Sequence, residues 1–298
     1  MLMKCTLKKI LTCSMMLLLG AGLAGCVSET EEDEKKEIEV ENKEEAKNTK
    51  KEVSIEEQLC FEYEGLTVTA MSMEEDDIWG TGIKFSLDNQ SDKNYSVGCE
   101  PVIVNNCMIT NLFSAQVAAG KKANETLYFS ESELEEAEIK NIGQVELYFY
   151  VYDSESYERL YETDCIVIKT SLYDEMEIQP DDSGTELYND NGVRIVGKYV
   201  NEDSFWGCGV LLYIENHSGQ NITVRCEDLS INGYMVDEFF SSTVYDGKYA
   251  IDEITIMDSD LEENDITSVD NVELEFEIEN ADTYDKIAES GEVSFNTK

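Results

Sequence analysis

Apolar and acidic residues alternate without a break in Val272-Glu273-Leu274-Glu275-Phe276-Glu277-Ile278. In an extended chain successive side chains point to opposite faces, so the apolar residues share one face and the carboxylates share the other. The pattern predicts a half-buried strand of an antiparallel sheet, because a strand of a parallel sheet is covered on both faces. A similar stretch lies 127 residues earlier, in Val145-Glu146-Leu147-Tyr148-Phe149.

Both stretches belong to a duplication that covers most of the chain. Residues 65–170 align without a gap onto residues 192–297. Roughly three aligned positions in ten are identical, which indicates an internal repeat. The shared elements include Trp79-Gly80 and Trp206-Gly207, Cys99-Glu100 and Cys226-Glu227, and Gly120-Lys121 and Gly247-Lys248. We therefore expect one fold used twice.

Each repeat is built from short runs rich in Val, Ile, Tyr and Phe, separated by Asn, Gly, Asp and Ser. Such runs have the length and composition of strands. Two-residue hairpins are predicted at Asn105-Asn106 and Asn232-Gly233. With about seven or eight strands in each repeat and almost no proline, the pattern is typical of an immunoglobulin-like antiparallel β-sandwich.

One short helix is predicted in each repeat. Ser and Glu three residues apart form the spacing of a capping box in Ser132-Glu133-Leu134-Glu135 and in Ser259-Asp260-Leu261-Glu262. The apolar residues that would hold these helices over an open end of the sandwich are Leu134, Ile139, Leu261 and Ile266. We therefore predict an all-β protein with two tandem immunoglobulin-like domains, each with one short helix, after a disordered N-terminal stalk.

Two strands that end in Asn-rich turns add a family resemblance. They are Phe85-Ser86-Leu87-Asp88-Asn89-Gln90-Ser91-Asp92-Lys93 and Tyr213-Ile214-Glu215-Asn216-His217-Ser218, and in each repeat a Gly-Lys pair precedes a later strand. Together these motifs resemble the extracellular immunoglobulin-like domains of uncharacterised function that occur singly or in tandem in Gram-positive lipoproteins. The resemblance implies fold and location, and it carries no catalytic residue.

The first residues read as a secretion signal. Lys4, Lys8 and Lys9 precede an apolar run at residues 10–24, which ends in Leu23-Ala24-Gly25-Cys26. This ending resembles the bacterial lipobox, which implies a diacylglyceryl group on Cys26 and a lipid-anchored protein on the extracellular face of the cell membrane. The alternatives are an ordinary secretory signal with a chance Cys, or an uncleaved anchor helix.

The chain is thus expected to have five parts. Residues 1–25 are the lipoprotein signal peptide, and residues 26–56 are the lipidated Cys26 and an acidic stalk of Glu, Lys, Asn, Thr and Ser. Such a segment buries too little apolar area to fold, so it is predicted to be disordered; an interaction tail is the alternative to a stalk. Residues 57–171 and 184–298 are the two sandwich repeats, and residues 172–183 are the linker between them.

The charge of the chain excludes some partners. The chain has 65 acidic and 22 basic residues, which gives a formal net charge of −43. Nucleic acid and anionic lipid both require clustered Lys and Arg, so neither is expected as an electrostatic partner. A calcium loop is not matched, because Asp181-Asp182-Ser183-Gly184 lacks the later Glu in register. We expect no cofactor and no metal.

The cysteines behind the predicted lipid anchor do not suggest a shared disulfide. They are Cys60, Cys99, Cys107, Cys165, Cys208 and Cys226. Only Cys99 and Cys226 occupy equivalent positions in the two repeats, so neither has a shared partner within its own repeat. The cysteines are interpreted as small buried residues. Cys60 with Cys165 is the pair to test first, since the first and last strands of a sandwich can be neighbours.

Trp79 and Trp206 are the candidate binding residues. Each follows an acidic loop and precedes a strand. They are either exposed platforms that stack on a sugar ring or residues that close the core at the start of a strand. We adopt the second interpretation and keep the first as a hypothesis of a carbohydrate-binding surface module.

Catalysis is not expected. A Ser-His-Asp arrangement would need His217, which is replaced by Gln90 in the other repeat. Glu146 and Glu273, like Glu100 and Glu227, are interpreted as solvent-facing strand residues. The predicted function is non-catalytic binding or spacing at the cell envelope, with the membrane as a partner through Cys26 and an envelope protein or glycan as a further partner. A hydrolase is the alternative from another class, and it requires a concave pocket with converging polar groups.

Overall fold

A computed structural model of the chain describes residues 53–204 and 207–296. The predicted signal peptide, the lipidation residue Cys26 and most of the predicted stalk lie outside the described residues, and so does Trp206. These features stay predictions. Within the described part of the chain, no helix is long and apolar enough to span a lipid bilayer.

The first repeat forms two sheets. In chain order its elements are β1 (Gln58–Tyr63), β2 (Leu66–Asp76), β3 (Gly80–Asn89), β4 (Tyr95–Val104), β5 (Cys107–Ile109), β6 (Ser114–Val117), β7 (Lys121–Tyr128), α1 (Glu131–Glu136), β8 (Gln144–Asp153), β9 (Arg159–Glu162) and β10 (Ile166–Lys169). One sheet has the order β1-β2-β3-β7. In the other, β8 lies between β10 and β4, while β5 and β6 pair with β4 and β9 pairs with β8.

The second repeat has the same arrangement. Its elements are β11 (Thr185–Asp190), β12 (Val193–Ser204), β13 (Gly207–Asn216), β14 (Ile222–Ile231), β15 (Tyr234–Met235), β16 (Ser241–Val244), β17 (Lys248–Met257), α2 (Asp258–Glu263), β18 (Asn271–Asn280) and β19 (Lys286–Asn296). One sheet has the order β11-β12-β13-β17, and the other has the order β15-β14-β18-β19 with β16 also paired to β14.

This strand order is that of an immunoglobulin-like sandwich. In that fold strands A, B and E share one sheet, while strands C, F and G share the other. The A-B-E order is taken by β2-β3-β7 and by β12-β13-β17, and the C-F-G order by β4-β8-β10 and by β14-β18-β19. The predicted fold class, all-β with tandem immunoglobulin-like sandwiches and one short helix in each, is confirmed.

The duplication extends to individual hydrogen bonds. Asn89 and Asn216 are fully buried. Each side chain donates to two carbonyl groups and accepts from the backbone and hydroxyl of a serine two residues later, Ser91 or Ser218. A buried amide needs such partners, and this explains why Asn occupies the position in both repeats.

The predicted hairpins are also confirmed. Asn105 and Asn106 have φ values of 51° and 69°, and Asn232 and Gly233 have values of 53° and 84°. Two successive positive φ angles define the turn that matches the twist of an antiparallel hairpin. Asn105 and Asn232 also each accept two backbone N–H groups, one from the residue before β8 or β18 and one from the first residue of that strand.

The capping-box prediction is wrong. The helices begin at Glu131 and Asp258, one residue before the predicted caps, and neither has a side-chain cap. The strand ladder continues to Phe129, whose N–H donates to the carbonyl of Thr81 at 3.0 Å, so Ser132 already lies within the first turn. The predicted apolar contacts are nevertheless present, because Leu134 and Ile139 pack on the first core and Leu261 and Ile266 on the second.

In the described part of the chain, Cys60, Cys99, Cys107, Cys165 and Cys226 are free thiols. Cys99, Cys107, Cys208 and Cys226 are buried, as interpreted from the sequence, whereas Cys60 is half-buried and Cys165 is exposed. The pairing of Cys60 with Cys165 is therefore not formed. Burial raises the pKa of the Cys107 and Cys226 thiols to about 12, which keeps them protonated and unreactive.

Candidate functional site

Trp79 lies on the surface, in the tight turn between β2 and β3. The two strands pair as far as Asp76 and Gly80, so the intervening residues project beyond the sheet. The carboxylate of Asp76 accepts the backbone N–H groups of Ile78 at 2.8 Å and of Trp79 at 3.0 Å. This cap fixes a turn in which Ile78 is 81% exposed and Trp79 is 65% exposed. The interpretation that Trp79 closes the core is therefore wrong.

A groove of about 820 Å³ lies beside this turn. Trp79 and Tyr128 both line it, with ring centroids 6.4 Å apart and ring planes inclined by 29°. The loop after β5 also lines the groove, and Leu112 in this loop is fully exposed. Phe113 and Phe129 are buried beneath, so the base of the groove is continuous with the core. We call this feature the Trp79 groove.

The loop that carries Leu112 is fixed on both sides. The N–H of Thr110 donates to the carboxylate of Glu133 at 2.7 Å, and the side chain of Asn111 donates to the carbonyl of Cys99 at 3.0 Å. Phe113 enters the core, where its ring lies 5.7 Å from that of Phe85. Leu112 is thus held outward between two anchored neighbours, and the groove is formed before any ligand arrives.

The second repeat closes the equivalent gap. Phe239, the counterpart of Leu112, is 54% exposed, and its carbonyl accepts the N–H of Thr255 at 3.4 Å. The two residues form an isolated antiparallel bridge. Thr255 is the counterpart of Tyr128 in the Trp79 groove. The same position is therefore bridged in one repeat and open in the other.

A second cavity, of about 740 Å³, lies between the two sandwiches. It contains the polar groups that the hydrolase alternative requires, but most of its charged groups have partners in the fold. Arg159 pairs with Glu162 at 2.9 Å, and Glu133 accepts the N–H of Thr110. Burial raises the pKa of Asp252 to about 6, although hydrogen bonds from Ser242 and the Glu253 backbone favour its charged form. These contacts support a structural role for the cavity walls.

The sandwiches are joined through a shared sheet. β5 of the first repeat pairs in parallel with β17 of the second, with Cys107 opposite Tyr249. Beside this pair, the ammonium of Lys248 forms an ion pair with Glu146. Glu146 is buried, so its interpretation as a solvent-facing residue is wrong. Alternation along β8 places this carboxylate on the outer face of the first sandwich, and the second sandwich covers that face.

A comparison of the repeats could have found this interface. Five residues on the outer face of the second A-B-E sheet are buried against the first core: Val196, Leu211, Tyr213, Tyr249 and Ile251. Their counterparts 127 residues earlier are Thr69, Lys84, Ser86, Lys122 and Asn124. An outward face that is polar in one repeat and apolar in the other indicates a surface that only one of them buries.

The other residues discussed from the sequence have local roles. His217 lies in the turn after β13, with its Nε2 atom 3.1 Å from the carboxylate of Glu215. Asp181 pairs with Lys198 at 2.8 Å, and Asp182 pairs with Arg194 at 2.7 Å. In the described residues, no group of three or more His, Cys, Asp or Glu side chains is arranged to hold a metal ion.

No protein-family model and no curated protein matches the chain. Among solved structures, the chain is similar to the YadV chaperone, with 11% sequence identity, coverage of 72% of this chain and 91% of that chain, and a TM-score of 0.22. It is also similar to a structure of the Salmonella enterica SafA pilin in complex with the SafB chaperone, with 10% identity, coverage of 72% and 88%, and a TM-score of 0.19. Superpositions this loose carry no functional argument, so the fold assignment rests on the strand order.

Proposed function

We propose that this chain is a lipid-anchored protein of the extracellular membrane face that binds a protein partner, without catalysis, at the Trp79 groove. The observation that carries the proposal is the exposure of Ile78, Trp79 and Leu112, at 81%, 65% and 100%, around one groove. Single exposed apolar residues are common on protein surfaces, whereas several around a preformed groove indicate an interaction site.

The energetics of the groove favour binding. Fully burying an aliphatic side chain such as Ile78 or Leu112 contributes about 1.5–3 kcal/mol. The loop and the turn that carry these side chains are already fixed by Asp76, Asn111 and Glu133. Because these segments are already ordered, association costs little further conformational entropy. More of the free energy gained by burying the side chains therefore contributes to affinity.

The location rests on the lipobox at Cys26, which supports an acyl anchor, and on the acidic stalk, which supports a spacer between the membrane and the sandwiches. In this proposal the acyl anchor holds the chain at the membrane, and the Trp79 groove binds another envelope protein. The strong negative charge of the chain makes a basic or neutral partner surface favourable.

Photo-cross-linking in intact cells tests the proposal. A benzophenone amino acid replaces Leu112, which is fully exposed and can be changed without disturbing the core. The same group at Asp92, an exposed residue in the turn at the opposite end of β3, serves as the matched control. We expect a discrete protein adduct from position 112 and none of the same mass from position 92. Equal labelling from both positions, or no adduct from either, would overturn the proposal.

Carbohydrate recognition is the second candidate, and the exposed indole of Trp79 favours it. Asn111, Ser130, Ser132 and Glu131 line the same groove and could bond sugar hydroxyls while a ring stacks on the indole. Glycan-array binding that is lost in Trp79→Ala would support this candidate. An array signal that does not change in this variant would eliminate it.

A further inference from the structure

We propose that the partner binds as an extended peptide strand, which pairs with the free edge of β7 and places an apolar side chain in the Trp79 groove. This inference deepens the proposed function and rests on it. It concerns the backbone of the groove wall, where the second repeat supplies a direct comparison.

β7 is an edge strand. In the described part of the chain its only strand neighbour is β3, and the two pair from Gly82 opposite Tyr128 to Asn89 opposite Lys121. The N–H of Phe129 donates toward β3, to the carbonyl of Thr81. Backbone groups alternate in direction along a strand, so those of Tyr128 and Thr126 point to the open side.

In the second repeat, the equivalent edge, that of β17, forms backbone hydrogen bonds with other segments of the chain. On β17, the N–H of Thr255 donates to the carbonyl of Phe239, and the N–H of Tyr249 donates to the carbonyl of Asn106 at 3.0 Å. Thr255 and Tyr249 are the counterparts of Tyr128 and Lys122. The edge that the chain covers with its own segments in the second repeat is therefore uncovered in the first, and the bridging Phe239 segment is extended and aromatic.

Charge limits the usable part of the edge. β7 begins with Lys121 and Lys122, both exposed, and charged side chains of this kind protect an edge strand from pairing. The last residues, Thr126, Leu127 and Tyr128, carry no charge, and Thr126 and Tyr128 border the Trp79 groove. Strand addition at this end would combine backbone hydrogen bonds with one apolar side-chain pocket. The expected ligand is a short extended segment with an aromatic or aliphatic residue beside Tyr128.

The matched substitutions Thr126→Pro and Thr126→Val test the inference. Proline removes the N–H that points to the open side and leaves the hydrogen bonds to β3 in place, which an edge strand tolerates. Valine keeps the N–H and changes only the side-chain hydroxyl, which becomes a methyl group. The full mature chain is panned against a phage library of random nine-residue peptides, and the enriched peptides are titrated against each variant.

We expect enriched peptides that share an aromatic or aliphatic residue, with affinity reduced at least tenfold by Thr126→Pro and by Trp79→Ala, and unchanged by Thr126→Val. Hydrogen exchange of the unsubstituted chain should show that a bound peptide protects the Thr126 and Tyr128 amides. This readout does not depend on whether the proline variant folds.

Peptides that lose affinity in Trp79→Ala but not in Thr126→Pro, and that leave both amides unprotected, would overturn strand addition while the groove remains the binding site. Enrichment of no peptide over a Trp79→Ala chain would also overturn strand addition. The proposed function fails separately, through the cross-linking result at position 112.

Discussion

The ammonium of Lys248 in the second sandwich and the carboxylate of Glu146 in the first are 2.5 Å apart, with side chains only 17% and 10% exposed. Lys248 also donates to the side chain of Asn106 at 3.1 Å. The pair lies at the junction of β5 and β17, where the two sandwiches share one sheet. Two charges buried in this way must satisfy each other, because either one alone would lack the solvation it has in water.

Substitution Lys248→Met is therefore expected to lower the free energy of unfolding by about 3 kcal/mol, since it leaves Glu146 buried and unpaired. Denaturant titration of the full chain measures this change. Lys121→Met is the matched control, because Lys121 is the exposed counterpart in the first repeat and should change stability by less than about 0.5 kcal/mol. Equal effects of the two substitutions would contradict the account of the interface.

Asn89→Ala and Asn216→Ala are each expected to destabilise the chain by about 2 kcal/mol or more, because each leaves buried backbone groups without partners. Both amides are fully buried and make the same bonds in their own repeats. Gln90→Ala, at the exposed residue next to Asn89, serves as the control in the same denaturant titration. A change within the error of this control would show that the amides do not support the turns.

The stability of the chain should depend on Asp252 in a defined pH window. Its pKa is raised by burial from 3.8 to about 6 in the folded state. The folded chain then binds this proton more tightly than the unfolded chain, so stability falls as pH rises from about 4 to about 6. Repulsion among the other carboxylates acts in the same direction.

The comparison with Asp252→Asn isolates this contribution. Relative to the parent chain, the variant should gain stability between pH 4 and pH 7, and unfolding titrations at the two pH values measure the difference. If the difference in unfolding free energy between Asp252→Asn and the parent chain is the same at pH 4 and at pH 7, the Asp252 carboxyl titrates at its ordinary pKa.

Substitutions of Leu112 and Phe113, which are neighbours in the loop after β5, should have different effects on stability. Leu112→Ser is expected to leave stability within about 0.5 kcal/mol of the parent, because the side chain is fully exposed. Phe113→Ala is expected to cost about 3–5 kcal/mol, because its ring is buried in the first core. A large destabilisation by Leu112→Ser would mean that Leu112 packs in the fold rather than facing a ligand.

Cys26→Ala tests the predicted anchor. A chain lipidated at Cys26 should move from the membrane fraction to the soluble fraction or the medium when the thiol is removed, because two acyl chains supply the membrane affinity. Cell fractionation with detection of the sandwiches measures the shift. Undiminished membrane retention of the variant would favour the uncleaved anchor helix.

Local patterns in the sequence were sufficient for the fold. Alternation in Val272–Ile278 and the paired turns at Asn105 and Asn232 reflect requirements of a single strand or hairpin, so the sequence records them directly. The Trp79 groove was harder to predict, because a Trp beside a strand satisfies a core position equally well. Only the extent of the β2 and β3 pairing, which reaches Asp76 and Gly80, shows that Trp79 lies in the turn.

The interface between the sandwiches could be predicted from the sequence only in part. The alternation that places Glu146 on the outer face is correct, but it cannot say what covers that face. The difference between Tyr213 and Ser86 at equivalent positions does carry this information. The bridge between Phe239 and Thr255 cannot be predicted from the residue types in the sequence, because it uses backbone groups that every residue has.

The central claim is that the Trp79 groove is where this protein meets its partner. The most direct test is the yield of the adduct from a photo-cross-linker at position 112, measured in chains that also carry Trp79→Ala or the matched exposed substitution Asp77→Ala. We predict at least a tenfold loss of the adduct with Trp79→Ala and no loss with Asp77→Ala. An adduct whose yield is the same in all three chains would contradict the claim.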